Sequence, residues 1–156
     1  MTGTGLARVR RARVADLPHV AQLVSEHAAY ERAAPPPTGL ARRLEALLFA
    51  SQTPRLRCFV AELNDGEIIG YTTCAPEVST WDGAEYLHMD CLFLRDGHRG
   101  LKVGPLLLEA VVAEAHELGL GQVQWQTPPW NTDAIRFYDR LGAQAKEKLR
   151  YHLSVG

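Results

Sequence analysis

Asp90 interrupts an otherwise apolar run, Tyr86-Leu87-His88-Met89-Asp90-Cys91-Leu92-Phe93-Leu94. A carboxylate buried in such a strand without a partner is costly, so its presence there calls for a purpose, either chemistry or the satisfying of backbone groups at a bulge. His88, two residues earlier, shares the Asp90 face of a regular strand, which offers a base that the carboxylate can orient. The run passes into Arg95-Asp96-Gly97-His98-Arg99-Gly100-Leu101-Lys102-Val103-Gly104-Pro105. A strand, a basic glycine-containing turn and a helix start aim backbone N–H groups and a helix dipole at an anion, phosphate above all. His98 is at most a solvated neighbour of that anion. Further on, Trp130-Asn131-Thr132-Asp133-Ala134-Ile135-Arg136-Phe137-Tyr138-Asp139-Arg140-Leu141-Gly142 reads as a strand exit, an Asn at a helix start and a short amphipathic helix stopped by glycine. Phe137 supplies the apolar anchor of that helix, which frees the Tyr138 phenol for chemistry. No spacing here argues for a metal.

The remaining elements must position these groups. Leu6 to Arg13 alternates apolar and basic residues and predicts a strand near a sheet edge. Asp16 is placed to cap a helix whose Leu17, Val20, Leu23, Val24 and Ala28 fall at helical spacing. Pro35-Pro36-Pro37 enforces a loop. A second helix restarts at Thr38 with Leu40, Leu44, Leu47 and Leu48 on one face and ends before Pro54. Leu56 to Leu63 and Glu67 to Ala75 are strands joined by the hairpin signal Asn64-Asp65-Gly66. A polar loop from Glu77 to Gly83 precedes the strand from Glu85 to Leu94. Gly104 to Leu118 is a long helix with Leu107, Leu108, Val111, Val112 and Ala115 inward, closed by Gly119. Gln122 to Thr127 predicts a strand, Thr132 to Leu141 the last helix, and Ala143 to Val155 strands with Leu149, Tyr151 and Leu153 on one face. The fold class is α/β with a mixed sheet.

At 156 residues the chain has the length of one domain, expected to span 1–156. Its 17 Lys and Arg against 18 Asp and Glu give a net charge of -1, so no global field recruits nucleic acid or an anionic membrane. Cys58, Cys74 and Cys91 sit singly in apolar runs, the pattern of reduced thiols in a cytoplasmic protein. No run reaches the length of a membrane span, and a soluble, cytoplasmic protein is expected.

The two segments together resemble the GNAT superfamily of acyl-CoA-dependent N-acyltransferases. Its signature is Arg/Gln-x-x-Gly-x-Gly/Ala, followed downstream by Asn-x-x-Ala-x-x-Phe-Tyr-x-x-x-Gly. Here Arg99 to Gly104 carries the first motif, and Asn131, Ala134, Phe137, Tyr138 and Gly142 the second. The resemblance covers nearly the whole chain and implies a mostly antiparallel sheet with a splayed central strand pair and about four helices. It also implies that Tyr138 gives a proton or hydrogen bond to the coenzyme A sulfur; a phenol of pKa about 10 suits that task. Asp90, at the position of the family's strand carboxylate, removes an ammonium proton through water or binds the cation. Leu92, Phe93 and Leu94 offer backbone groups to the pantetheine amides and the acyl carbonyl in the manner of an added strand, their side chains being core. Arg99, Gly100, Leu101, Lys102, Val103, Gly104 and Pro105 border the diphosphate, and Asn131 the pantetheine. The pair Tyr30-Glu31, with Asp90 and Trp130-Asn131, resembles the spermidine/spermine, diamine and thialysine acetyltransferase branch, in which the matching residues contact a cationic acceptor. By the same matching His88, Gln124, Trp125 and Gln126 border that acceptor.

The pattern departs from the family at Lys102, which stands where the first motif Gly belongs, and at Pro105, which removes one N–H from the first helical turn. Lys102 offers a compensating charge. The implied reaction is transfer of an acyl group, acetyl first, from coenzyme A to the primary amine of a small molecule by direct attack in a ternary complex. The departures also admit a donor on the phosphopantetheine arm of an acyl carrier protein. A non-catalytic acyl-CoA-binding domain is the rival from another class. A homodimer is the expected assembly.

Overall fold

The computed structural model describes residues 2–3, 7–99 and 102–156. Leu6, Gly100 and Leu101 therefore lie outside the described residues. The chain divides into two compact units, Met1–Trp125 and Gln126–Gly156.

The first unit is built on one sheet with the strands in chain order: β1 (Thr2–Gly3), β2 (Ala7–Arg11), β3 (Arg57–Leu63), β4 (Ile68–Ser79), β5 (Ala84–Leu94) and β6 (Val123–Gln124). Neighbours are antiparallel except β5 and β6, which run parallel. The expected first strand thus lies next to an edge, with β1 outside it. The hairpin between β3 and β4 turns where Asn64-Asp65-Gly66 predicts. Gly66 takes φ +93°, a conformation glycine adopts without penalty, and the Asp65 carboxylate accepts from the Glu67 N–H at 2.9 Å. The loop expected over 77–83 is shorter than predicted, because β4 continues to Ser79 and β5 begins at Ala84.

Both faces of the sheet are covered. On one lies α3 (Val103–Glu117), whose Val103, Leu107 and Val111 close over Ile69, Leu87 and Met89. On the other lie α1 (Leu17–Tyr30) and α2 (Leu40–Phe49), which bury Leu17, Val20, Leu23 and Leu48 with Val60 and Tyr71. Two residues expected inside are outside: Leu47 and Val112 are exposed. Each sits at the margin of its helix stripe, and one position of helical phase turns a side chain by about 100°. Asp16 does not cap α1 with its side chain. Its carboxylate reaches back to the Arg13 N–H at 2.7 Å and takes two hydrogen bonds from Arg10, at 2.7 and 3.0 Å, which hold it below the usual carboxylate range. A neighbouring guanidinium outbids the helix amides because both partners are charged. On the α3 side the buried Glu114 is held by Arg57 at 2.9 Å and by Arg11.

Burial pushes the Cys58 and Cys74 thiols up to about 12 and the Cys91 thiol up to about 11. No helix among the described residues is long and apolar enough to cross a membrane.

The second unit holds α4 (Thr132–Arg140), which ends at Leu141 and Gly142, the latter at φ +83°. Residues 143–156 form no strand. Leu149, Tyr151 and Leu153, expected on the buried face of one, are 81%, 87% and 86% exposed. Alternation fixes only what a strand would present, and a strand exists only where a neighbour takes its hydrogen bonds. The strand expected over 122–127 shrinks to Val123–Gln124 for the same reason, since its pairing with β5 stops there.

Gly70 is the tightest point of the sheet. A Cβ added there would lie 2.6 Å from Leu94 Cδ2 and 2.8 Å from the Phe93 carbonyl oxygen. The backbone oxygen cannot yield as a flexible side chain would. Gly70→Ala is therefore expected to destabilise the protein by about 1–3 kcal/mol, read as a lower midpoint in urea denaturation at unchanged m-value. An unchanged midpoint would mean that β5 moves aside freely.

Candidate active site

The register of β4 against β5 explains Asp90. Thr73 faces Cys91 and Cys74 faces Met89, so Asp90 is an extra residue with no opposite number on β4. It is a β-bulge, and a bulge shifts the alternation of everything that follows. Before it, Leu87 and Met89 face α3; after it, Leu92 and Leu94 do, while Cys91 and Phe93 turn to the α1 side. The bulge also overturns the expectation of a buried carboxylate, because the Asp90 side chain is 59% exposed. His88 Nε2 lies 3.7 Å from Asp90 Oδ1, so the two groups expected to share a face are neighbours, beyond direct hydrogen-bond reach.

β6 follows β5 only at Leu87 and His88. From Met89 onward the β6 side of β5 is paired with no strand among the described residues. The register sets Gln124 opposite His88, and the exposed Gln124 amide donates to Gln122 at 2.7 Å. Trp125 instead packs against the α3-side cluster. Gln126 belongs to the second unit.

After β5 the chain reaches the start of α3. Lys102 is the residue before the helix and sits at φ +61°, ψ +24°, in the left-handed region. That is the conformation for which the signature uses glycine, and here a lysine adopts it. Val103 and Gly104 follow as the first two helical residues, whose N–H groups have no partner within the helix, and Pro105 contributes none. These amides suit an anion, as does the Lys102 charge. The Arg99 side chain packs elsewhere. Its guanidinium lies 4.4 Å from the Tyr30 ring centroid and 5.4 Å from that of Phe93, with Nε donating to the Leu94 carbonyl at 3.2 Å. His98 is half-buried, with its Nδ1 buried without a hydrogen bond.

Tyr30 and Glu31 end α1 on the Phe93 side of the sheet. Here the structure adds residues that the sequence reading passed over. His27 stacks on Phe93 with ring centroids 4.9 Å apart and 17° between planes, so the Phe93 side chain is more than core. His27 Nδ1 is 2.7 Å from the Tyr71 hydroxyl and Nε2 is 2.8 Å from Glu31 Oε2. Tyr71 is 1% exposed, and the Cys91 thiol, on the same side of the sheet, lies 3.7 Å from Asp90 Oδ2. The signal for His27 was available: it stands four residues before Glu31 on one helix face. Tyr71, inside an apolar strand, gave none.

In the second unit Asn131 is buried and caps α4, its side-chain oxygen accepting from the Ala134 N–H at 3.4 Å. This is the capping role expected of it. Phe137 and Tyr138 lie with ring centroids 5.2 Å apart.

Residues 21–143 match the model of the "Acetyltransferase (GNAT) family". Among curated relatives, the L-ornithine N5-acetyltransferase of Arabidopsis thaliana is 34% identical over 89 residues, 57% of this chain and 39% of that protein. The thialysine N-epsilon-acetyltransferase of Caenorhabditis elegans is 33% identical over 63 residues, 40% of this chain and 39% of its own length. The chain thus spans about two-fifths of these relatives. Among solved structures, a Bacillus halodurans protein described as a transcriptional regulator superposes with a TM-score of 0.77 at 23% identity, covering 94% of this chain and 99% of that one. At such identity the likeness concerns the fold.

The left-handed Lys102 carries a measurable cost. Lys102→Gly is expected to stabilise the protein by about 1 kcal/mol, since glycine takes this conformation without a Cβ clash. Calorimetric titration with acetyl-CoA should at the same time show weaker binding, by roughly tenfold for one charge-assisted contact. A melting temperature that does not rise would place the strain elsewhere. Unchanged affinity would remove Lys102 from the anion site.

Proposed function

The chain belongs to the acetyltransferase (GNAT) family, and from that membership we propose that it transfers an acetyl group from acetyl-CoA to the primary amine of a small cationic acceptor. The observation that carries this reading is the exposed Asp90 at a bulge, on the strand that β6 ceases to follow one residue before. A carboxylate in that position meets an ammonium group beside a stretch of β5 backbone open to an extended ligand. The ornithine and thialysine acetyltransferases among the relatives act on amines that carry a second charged group, which supports a cationic acceptor here.

Each residue then has a task. Asp90, with His88 beside it, takes one proton from the acceptor ammonium through water, and the neutral amine attacks the thioester carbonyl. Backbone groups of Leu92 to Leu94 align the pantetheine arm, except that the Leu94 carbonyl is engaged by Arg99. Amides at the start of α3 and the Lys102 ammonium hold the diphosphate. Tyr138 supplies the proton that the departing thiolate takes up, and is reprotonated as the acylated nitrogen loses its remaining extra proton to solvent. Asn131 steadies α4 and reaches the pantetheine. Tyr30 and Glu31 receive the distal cation of the acceptor, with Gln124, next to His88, bordering it.

Tyr138→Phe keeps the ring and deletes the proton, so kcat should fall by about 100-fold or more with little change in donor affinity. An unchanged kcat returns Tyr138 to packing. Asp90→Asn should lose most activity at the acidic end of the pH–rate profile, where the acceptor amine is protonated and depends on the carboxylate. A mutant with the full wild-type profile and only a lower melting temperature would make the bulge purely structural. Both are read by thiol release over a panel of diamines and monoamines, and absence of release with every amine would overturn the enzymatic reading itself.

A further inference from the structure

We infer that His27 is a positioning residue that holds Glu31 as the counter-charge for the acceptor's distal ammonium. The inference rests on the acceptor role proposed for Glu31. It starts from geometry within the first unit: the imidazole bridges Tyr71 Oη at 2.7 Å and Glu31 Oε2 at 2.8 Å, and is clamped flat against Phe93. Glu31 lies just past the last residue of α1, where the chain leaves the helix towards the Pro35-Pro36-Pro37 loop. A carboxylate at such an exit has many rotamers, and fixing one before the ligand arrives removes an ordering cost from binding.

One proton position is fixed by the partners. The Glu31 carboxylate only accepts, so a 2.8 Å contact requires the proton on His27 Nε2. Nδ1 then accepts from the Tyr71 hydroxyl in the neutral ring and donates to the Tyr71 oxygen in the imidazolium. Burial drives the Tyr71 pKa far up, so this hydroxyl keeps its proton to give. The reverse tautomer would set the Nε2 lone pair against a carboxylate oxygen and is excluded by repulsion. The groups around the ring are Tyr71 from β4, Phe93 from β5 and Glu31 from the end of α1. Glu31 therefore meets an N–H donor, and Tyr71 and Phe93 hold the ring that carries it. The same ring pair continues outward, since Phe93 and Tyr30 share the Arg99 guanidinium. Tyr30 is thus anchored by Phe93 of the sheet and Arg99 of the turn after it, and Glu31 by His27 of its own helix, which Tyr71 and Phe93 hold against the sheet.

The test compares 1,4-diaminobutane with n-butylamine, which differ by one ammonium, using acetyl-CoA and thiol release. His27→Ala should raise KM for the diamine roughly tenfold, the loss of one hydrogen bond to a charged group, with KM for butylamine and for acetyl-CoA little changed. His27→Gln, whose amide N–H reaches towards the place of Nε2, should restore most of the preference. The double variant His27→Ala/Glu31→Gln should be no worse than Glu31→Gln alone, because both changes remove one interaction. Equal losses on both amines, additive losses in the double variant, or a lowered melting temperature with normal KM values would each overturn the inference. If Glu31→Gln impairs the diamine and His27→Ala does not, the positioning role fails while the acceptor reading stands. If Glu31→Gln leaves both amines untouched, the acceptor role of Glu31 fails and this inference with it. Nitrogen-15 NMR of the imidazole reads the arrangement without turnover: a proton on Nε2 is expected in the wild type, whereas a bare Nε2 overturns the proposal.

Discussion

One unmatched residue in β5 sets the geometry of everything near the candidate site. Without the bulge at Asp90, strict alternation would carry Cys91 and Phe93 onto the α3 face with Leu87 and Met89, and Leu92 and Leu94 onto the α1 face. His27 and Arg99 would then lose the ring on which both rest. The bulge also lets a charged side chain sit in the middle of an apolar strand at no burial cost, because the extra residue is pushed outward. A strand that is hydrophobic at both ends can in this way present one carboxylate.

The sheet tolerates that irregularity because its two helical layers are tied to it by charge as well as by packing. Glu114 of α3 is gripped by Arg57 of β3 and Arg11 of β2. On the opposite face Arg10 of β2 joins Asp16, ahead of α1, to Glu62 of β3. Arg95, directly after β5, reaches Glu26 of α1 at 3.0 Å. The Arg10 contacts to Asp16 and Glu62 and the Arg57–Glu114 contact are largely buried, so losing one partner there leaves a stranded charge rather than a merely weaker contact. These ties carry stability and register.

Much of this was legible in the sequence. Hairpin chemistry at Asn64-Asp65-Gly66, the helix stop at Gly119 and the cap at Asn131 are local devices, and local devices are written in neighbouring residues. The motif pair pointed to the start of α3 and to α4 for the same reason. Three things were not legible. The bulge depends on how β4 and β5 pair, and an apolar run such as 86–94 reads the same with or without it. The His27–Tyr71 contact joins residues 44 apart, brought together only by the packing of α1 on the sheet. The tail after Gly142 shows the opposite failure, in which a convincing alternation at Leu149, Tyr151 and Leu153 met no neighbouring strand within its unit. Lys102 lies between these cases: its departure from glycine was visible, but the left-handed backbone it must adopt was not.

The three cysteines have a practical consequence. With thiols held near pKa 11–12 by burial, only about one in a thousand or fewer is ionised at pH 8, and it is the thiolate that attacks. Disulfide dyes and alkylating reagents therefore meet a nearly silent protein while it is folded. A chromogenic thiol reagent mixed into a reaction will report the sulfur released from coenzyme A against a flat background, and a rising background becomes a direct gauge of unfolding.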